Sequence, residues 1–254
     1  EQAAIQAKFR RMWEQIADRF QDYDQHLVFE GMNEIHEHGN WNAPKDLSVM
    51  NNVNAYNQIF VDTVRAAGGE NPDRVLICSG YNTNINITTD PANGCKVPKD
   101  TAQNRMMVSL HYYDPYDFTI NSDPEKGVWA WGKAAVKAGD KALAWHTEDS
   151  TDASMKKLHD TFATKGIPFF IGEYGAIDKT KQNKKNQAYR EHWYRYVTKD
   201  IKTAGGVPVV WDNGAPHEDT FTFVNRKTNT VGDKQLLQAV KDGYADAEKE
   251  HKKK

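Results

Sequence analysis

Two glutamates, Glu34 and Glu173, each close a short apolar run: LVFEGMNE over residues 27 to 34 and PFFIGEYG over residues 168 to 175. Leu27, Val28 and Phe29 read as a buried strand, and a strand covered on both faces leaves its polar end as the place for chemistry. Parallel strands with helices between them bring such ends to one face, where two carboxylates can act on one bond. The bond such a pair suits is an acetal, which needs a proton on its leaving oxygen and electron density at its anomeric carbon. The plainer reading, two surface or salt-bridged glutamates, loses weight because both residues end apolar strands. Asn33 beside Glu34 could donate to a sugar hydroxyl. His111 and Tyr113 in MMVSLHYYD are two apart, so they face the same side of a strand and can reach the same cleft. Trp211 in VVWDNG offers a flat apolar face to a pyranose ring, or else it is a core tryptophan.

Other chemistries find no support. His36-Glu37-His38 lacks the i, i+4 pair of a zinc helix and reads as a polar loop. Cys78 and Cys95 are the only cysteines, with no CxxC and no histidine at zinc-ligand spacing, so neither a metal ligand set nor a redox motif is present. There is no GxSxG elbow for a serine nucleophile and no glycine-rich phosphate loop. A net charge of −2 gives no electrostatic reason to expect nucleic acid or an anionic membrane as partner. No apolar run approaches the roughly 20 residues that cross a bilayer. Several tryptophans sit in polar, loop-like surroundings, as in Gly39-Asn40-Trp41-Asn42 and Gly127-Val128-Trp129-Ala130-Trp131, where each either anchors its loop or offers a stacking surface to a flat ligand.

The elements that must position these residues alternate along the chain. Apolar residues at spacings of three and four predict helices over residues 3 to 20, 47 to 67, 151 to 165, 183 to 203 and 233 to 247, with Ser150 to Asp152 as capping candidates for the third. Between them, β-prone runs predict five strands ending at Glu34, Gly80, Tyr113, Glu173 and Trp211. The polar segment from 114 to 150 is too long for an ordinary connection and is expected to shape a binding site. Strand and helix alternating in this way predict an α/β fold with parallel strands and outer helices, as one domain over residues 1 to 254. Residues 248 to 254 read as a solvated basic tail. The chain opens at Glu1 with no charged-then-apolar leader, which fits removal of a signal peptide or a missing upstream piece.

Taken together, Asn33-Glu34, His111-x-Tyr113, Glu173 in IGEYG and Trp211 in VVWDNG resemble glycoside hydrolase family 5, the cellulase-type (β/α)8 TIM barrels. The phrases FEGMNE, IFVDTVRAAGG, SGYNT, VSLHYYDPYDF and WDNG are similar to its subfamily 4 endoglucanases. The resemblance implies that Glu34 is the general acid/base and Glu173 the nucleophile. It implies that Asn33 contacts the 2-hydroxyl, that His111 and Tyr113 orient the site, and that Trp211 floors the subsite of the cleaved sugar. It implies a retaining endo-β-1,4-glucanase acting on cellulose, mixed-linkage glucan or xyloglucan, without metal or organic cofactor, and secreted. A β-mannanase stays open as a neighbouring reading, and so does an inactive sugar-binding fragment or half of a two-chain assembly. In such a barrel three strand units precede the Asn-Glu strand, whereas the residues before Glu34 spell one helix and one strand. The expectation is an incomplete barrel carrying its fourth to eighth units, with a missing amino-terminal segment or a complementary chain as partner.

Overall fold

Helix α1 (Gln2–Arg19) buries Trp13 and Ala17 and packs Phe9, Ile16 and Phe20 against the same cluster, as the spacing predicts. Trp13 meets Phe60 and Phe29 with ring centroids 4.4 and 5.6 Å apart. In the computed structural model, which describes residues 1–214 and 219–252, the next element is β1 (Phe29–Glu30). Helix α2 (Leu47–Ala66) starts where the Asp46 side chain accepts from Ser48 N at 2.7 Å. It buries Met50, Val53, Phe60 and Val64. Strand β2 (Leu76–Ser79) pairs in parallel with β1, Phe29 opposite Leu76, and with β3 (Met106–Tyr112), Leu76 opposite Met106.

Strands β4 (Phe169–Tyr174) and β5 (Gly206–Val210) complete a five-stranded sheet whose order follows the sequence, β1-β2-β3-β4-β5. A parallel strand added each time to the same edge, with helices in the connections, is the repeating unit of a (β/α)8 barrel, here with five of the eight strands. The chain forms two compact units, one of Glu1–Leu110 with Thr161–Phe170 and the other of His111–Asp160 with Ile171–Lys254. Strands β3 and β4 each contribute to both.

In the first unit short helix α3 (Ile85–Thr89) follows β2. The second unit holds α4 (Tyr116–Thr119), α5 (Lys133–Ala138), α6 (Glu148–Thr161) but for its last residue, α7 (Asn186–Thr203) and α8 (Lys234–His251), with an antiparallel hairpin of β6 (Val224–Asn225) and β7 (Thr230–Val231) before α8. Helix α7 buries Trp193, Tyr194, Val197 and Ile201, and α8 crosses it so closely that a Cβ on Gly243 would strike the Arg195 carbonyl. Val207, Val209 and Trp211 lie two apart and are each about two-fifths exposed. No helix among the described residues is long and apolar enough to cross a membrane.

Several boundaries differ from expectation. The strand at Leu27 is only Phe29–Glu30, because the Leu27 carbonyl is taken by the Arg74 guanidinium at 2.6 Å and not by a ladder partner. Ser150 to Asp152 lie inside α6, which starts at Glu148. Helix α8 extends into the expected tail as far as His251, where Glu250 pairs with Lys199 at 2.5 Å; Lys253 and Lys254 lie outside the described residues.

One carboxyl in this packing carries a pH dependence. Asp200 on α7 has its pKa pushed up to about 7, first by burial and then by Asp152. The folded chain thus keeps this proton up to about pH 7, whereas the unfolded chain releases it near 3.8. Over that interval the folded state binds more protons, so this group's contribution falls as pH rises, by roughly 2–4 kcal/mol in total. Urea midpoints measured from pH 4 to 8 should lose that component in Asp200→Asn. A wild-type and variant pair that run parallel over the interval would contradict it.

Candidate active site

In the first unit the ladder carries on past β1: Gly31 N donates to Ile77 O at 3.0 Å. A Cβ on Gly31 would lie 2.8 Å from the Phe60 ring, so only glycine lets the chain pass here. Ser79 Oγ donates to Met32 O, Ile35 N to Asn33 O at 2.9 Å, and Asn82 N to Ile35 O at 2.8 Å. Asn33 and Glu34 thus sit on a turn tied down on both sides. Asn33 is exposed and Glu34 half-buried. The turn continues into His36, whose Nδ1 lies 2.7 Å from the Glu34 carbonyl oxygen.

In the second unit Glu173 stands near the end of β4, its side chain 17% exposed. Tyr113 Oη donates to Glu173 Oε2 at 2.8 Å, and His111 Nδ1 lies 3.4 Å from the same oxygen. Two neighbours on one carboxylate oxygen fix the plane of the group, which is what a carboxylate needs if it is to attack along a set line. The alternation of β3 does this: His111 and Tyr113 turn to Glu173, while Tyr112 turns the other way, 6.2 Å from Trp193 in a stacked pair and donating to Thr151 Oγ1 at 3.0 Å. Tyr174 likewise faces away from Glu173, with its hydroxyl 2.6 Å from Thr198 Oγ1. Trp211 follows β5, its N donating to Tyr174 O at 3.0 Å and its side chain partly open to solvent.

Residues 1–216 match the cellulase model of glycosyl hydrolase family 5. The chain belongs to that family. Among its relatives, endoglucanase A of Paenibacillus barcinonensis is 39% identical over 251 residues, covering 95% of this chain and 61% of that protein. A xyloglucan-specific endo-β-1,4-glucanase of Bacteroides ovatus is 35% identical over 215 residues, covering 83% of this chain and 42% of that protein. A solved family 5 xyloglucanase from Paenibacillus pabuli, in complex with ligand, superposes with a TM-score of 0.91 at 38% identity, covering 96% of this chain and 68% of that one. The chain therefore spans about two-fifths to three-fifths of the length of the two sequence relatives named.

Within this family 5 chain, helix α7 supplies contacts that periodicity does not announce. Trp193 Nε1 donates to Asp114 O at 3.2 Å, immediately after Tyr113. Tyr194 Oη accepts from Ala176 N at 2.9 Å, and Arg190 Nε donates to Ala176 O at 3.1 Å. The turn after Glu173 is thus held at both backbone groups of one residue. Thr119 joins the two turns, its Oγ1 donating to Tyr113 O and its carbonyl accepting from Ile177 N at 2.9 Å. Phe221 closes the arrangement, its ring 5.7 Å edge-on from that of Tyr113 and leaving no room for a Cβ on Gly175. Lys179, its amine lowered to about 8 mainly by burial, donates to Asp117 O at 2.6 Å and Val128 O at 2.9 Å. In sequence, Trp193 reads as an ordinary apolar helix position, and its indole N–H gives no hint of which carbonyl it meets.

Proposed function

We propose that this chain carries the catalytic carboxylates of a retaining endo-β-1,4-glucanase, with Glu173 as nucleophile and Glu34 as general acid/base. The observation that carries the reading is the Glu173 carboxylate set by Tyr113 and His111 on one oxygen. Glu173 attacks the anomeric carbon while Glu34 protonates the departing oxygen, forming a glycosyl-enzyme ester. Glu34 then takes a proton from water, which hydrolyses that ester with a second inversion, so configuration is retained. Asn33 binds the 2-hydroxyl of the sugar at the cleaved bond, and Trp211 lies under its ring. The substrate is a β-linked glucan such as cellulose, mixed-linkage glucan or xyloglucan; the xyloglucan-specific relative supports including the last. A polymer too large to enter a cell is met outside it, which supports secretion. The barrel is completed by three further βα units, from the same polypeptide or a complementary chain; the greater length of the relatives and the exposed Val207, Val209 and Trp211 support this part.

Stereochemistry tests it. Proton NMR of fresh hydrolysis product, from active polypeptide containing residues 1–254, should show the β-anomer first and the α-anomer only as mutarotation proceeds. An initial α-anomer would exclude the ester and with it the nucleophilic role of Glu173.

A further inference from the structure

Past Glu173 the backbone keeps the two-residue alternation of a strand. Ala176 gives both its backbone groups to Tyr194 and Arg190 of α7, and Asp178 gives its own to Thr220 O at 3.1 Å and Asp219 N at 2.9 Å. Ile177 and Lys179 turn to α4 instead. Ile177 N meets Thr119 O at 2.9 Å, and Lys179 Nζ meets Asp117 O at 2.6 Å, two residues earlier on the same short helix.

Lys179 joins three segments. Its ammonium donates to Asp117 O on α4 and to Val128 O in the run ahead of α5; Asp117 O also accepts from Val128 N at 2.8 Å, so both acceptor sites of that carbonyl are used. The backbone of Lys179 is set by α7: its N donates to Asn186 Oδ1 at 2.8 Å, while Asn186 Nδ2 donates to Trp129 O at 2.9 Å. Lys179 and Asn186 are 1% and 0% exposed. Burial disfavours the cation and lowers the amine to about 8, while Asp117 and Asp219 favour the charge and Lys141 opposes it. A methionine would fill much the same space without that cost; what lysine adds is the donors.

The bridge ends at the proposed nucleophile. Asp117 and Thr119 lie on one turn of α4, and Thr119 Oγ1 donates to the carbonyl of Tyr113, whose hydroxyl donates to Glu173 Oε2 at 2.8 Å. We propose that Lys179 is a positioning residue for the reaction: by docking α4 onto the turn after β4, it sets the Tyr113 hydroxyl on the Glu173 carboxylate. This rests on the reading of Glu173 as nucleophile. Lys179 acts through Tyr113 and not on the substrate, so its loss should appear in kcat and leave KM nearly unchanged.

A double-mutant cycle tests it, on a cello-oligosaccharide and in polypeptide containing residues 1–254. Lys179→Met should lower kcat by about 10- to 100-fold and change KM by less than about threefold. In the Tyr113→Phe background the same substitution should cost less than about threefold, because the hydroxyl it acts through is gone. Lys179→Gln, whose amide still offers donors, should keep part of the lost rate. Equal losses in both backgrounds, a loss confined to KM, or no loss would overturn the positioning role while leaving the assignment of Glu173 standing. A Lys179→Met chain that fails to fold would do the same, because the lysine would then serve folding and not the site. Wild-type polypeptide that hydrolyses nothing would instead overturn the reading of Glu173, and ¹³C NMR of ring-labelled tyrosine would then decide Lys179 alone. The Cζ resonance of Tyr113, assigned through Tyr113→Phe, should move in Lys179→Met as it does in Glu173→Ala; an unmoved resonance would overturn the proposal.

Discussion

If Glu173 is the nucleophile proposed above, Glu173→Ala should abolish turnover of β-glucans in active polypeptide containing residues 1–254, with a loss on the order of 10⁴-fold or more, because the ester that splits the reaction into two steps then cannot form. Glu34→Ala should behave differently. With an activated aryl leaving group that needs no proton, ester formation survives and only its hydrolysis slows, so a burst of released aryl alcohol precedes a slow steady state. Added azide should then intercept the ester and give a β-glycosyl azide from the Glu34 variant. The contrast separates the two roles more cleanly than loss of activity in either variant alone. Azide product from the Glu173 variant, and none from the Glu34 variant, would exchange the assignments. A β configuration in the azide would also report a double inversion independently of the anomer that wild type releases.

The largest expected change in stability comes from a buried arginine of the first unit. Arg74 is 1% exposed, and each of its five guanidinium N–H groups has an acceptor. Nε donates to Asn71 Oδ1 at 2.9 Å, Nη1 to Asp24 O at 3.2 Å and Leu27 O at 2.6 Å, and Nη2 to Phe20 O at 3.0 Å and Tyr23 O at 2.6 Å. The guanidinium also lies 4.7 Å from the centroid of the Phe29 ring. Four carbonyls of the connection from α1 to β1 thus converge on one cation. Burial lowers the guanidinium's pKa, yet at neutral pH the group stays charged. Arg74→Met keeps much of the stem and removes every donor, stranding those carbonyls, and should cost about 3–5 kcal/mol. Arg74→Lys, with three donors on a point charge, should recover only part of this. Denaturant titration with hydrogen exchange at Phe29 and Leu76 would measure it. A methionine variant within about 1 kcal/mol of wild type would mean that water replaces the guanidinium freely.

Helices were the more legible part of the fold, for a physical reason. A stripe of apolar residues at a period of 3.6 is a local signal, and it places α1 and α2 within a residue or so of Gln2–Arg19 and Leu47–Ala66. Strand limits depend on distant partners. Arg74 reads as the first residue of a strand, and nothing near it in sequence says that its side chain claims the backbone of residues 20 to 27. The same limit applies to the site. His111 and Tyr113 are legible as a pair, since the two-residue period of β3 foretells that they turn to the same side, though not that Glu173 is what they meet there. The grip of Arg190 and Tyr194 on Ala176 was not, since helix positions chosen for a core are indistinguishable from those chosen for one hydrogen bond. For Trp131, of the two readings open in sequence, the covered ring takes the side of loop anchoring. The hairpin β6–β7, built of two-residue strands in a polar stretch, carries no hydrophobic alternation to read.

The two thiols give the first unit a pair of internal clocks. Cys78 lies in the cluster of Trp13, Phe29, Phe60 and Leu76, and Cys95 packs against the separate cluster of Met50, Val53 and Tyr81. Both are unpaired, and burial pushes their thiols up to about 12 and about 11. In the closed molecule burial holds back the thiolate, more for the buried Cys78 than for the half-buried Cys95, so a disulfide reagent in excess is consumed chiefly when a cluster opens. Each modification rate then measures the opening frequency of one cluster, without any label having been introduced, and the ratio of the two rates tells whether the neighbourhood of Glu34 breathes as one body or as two.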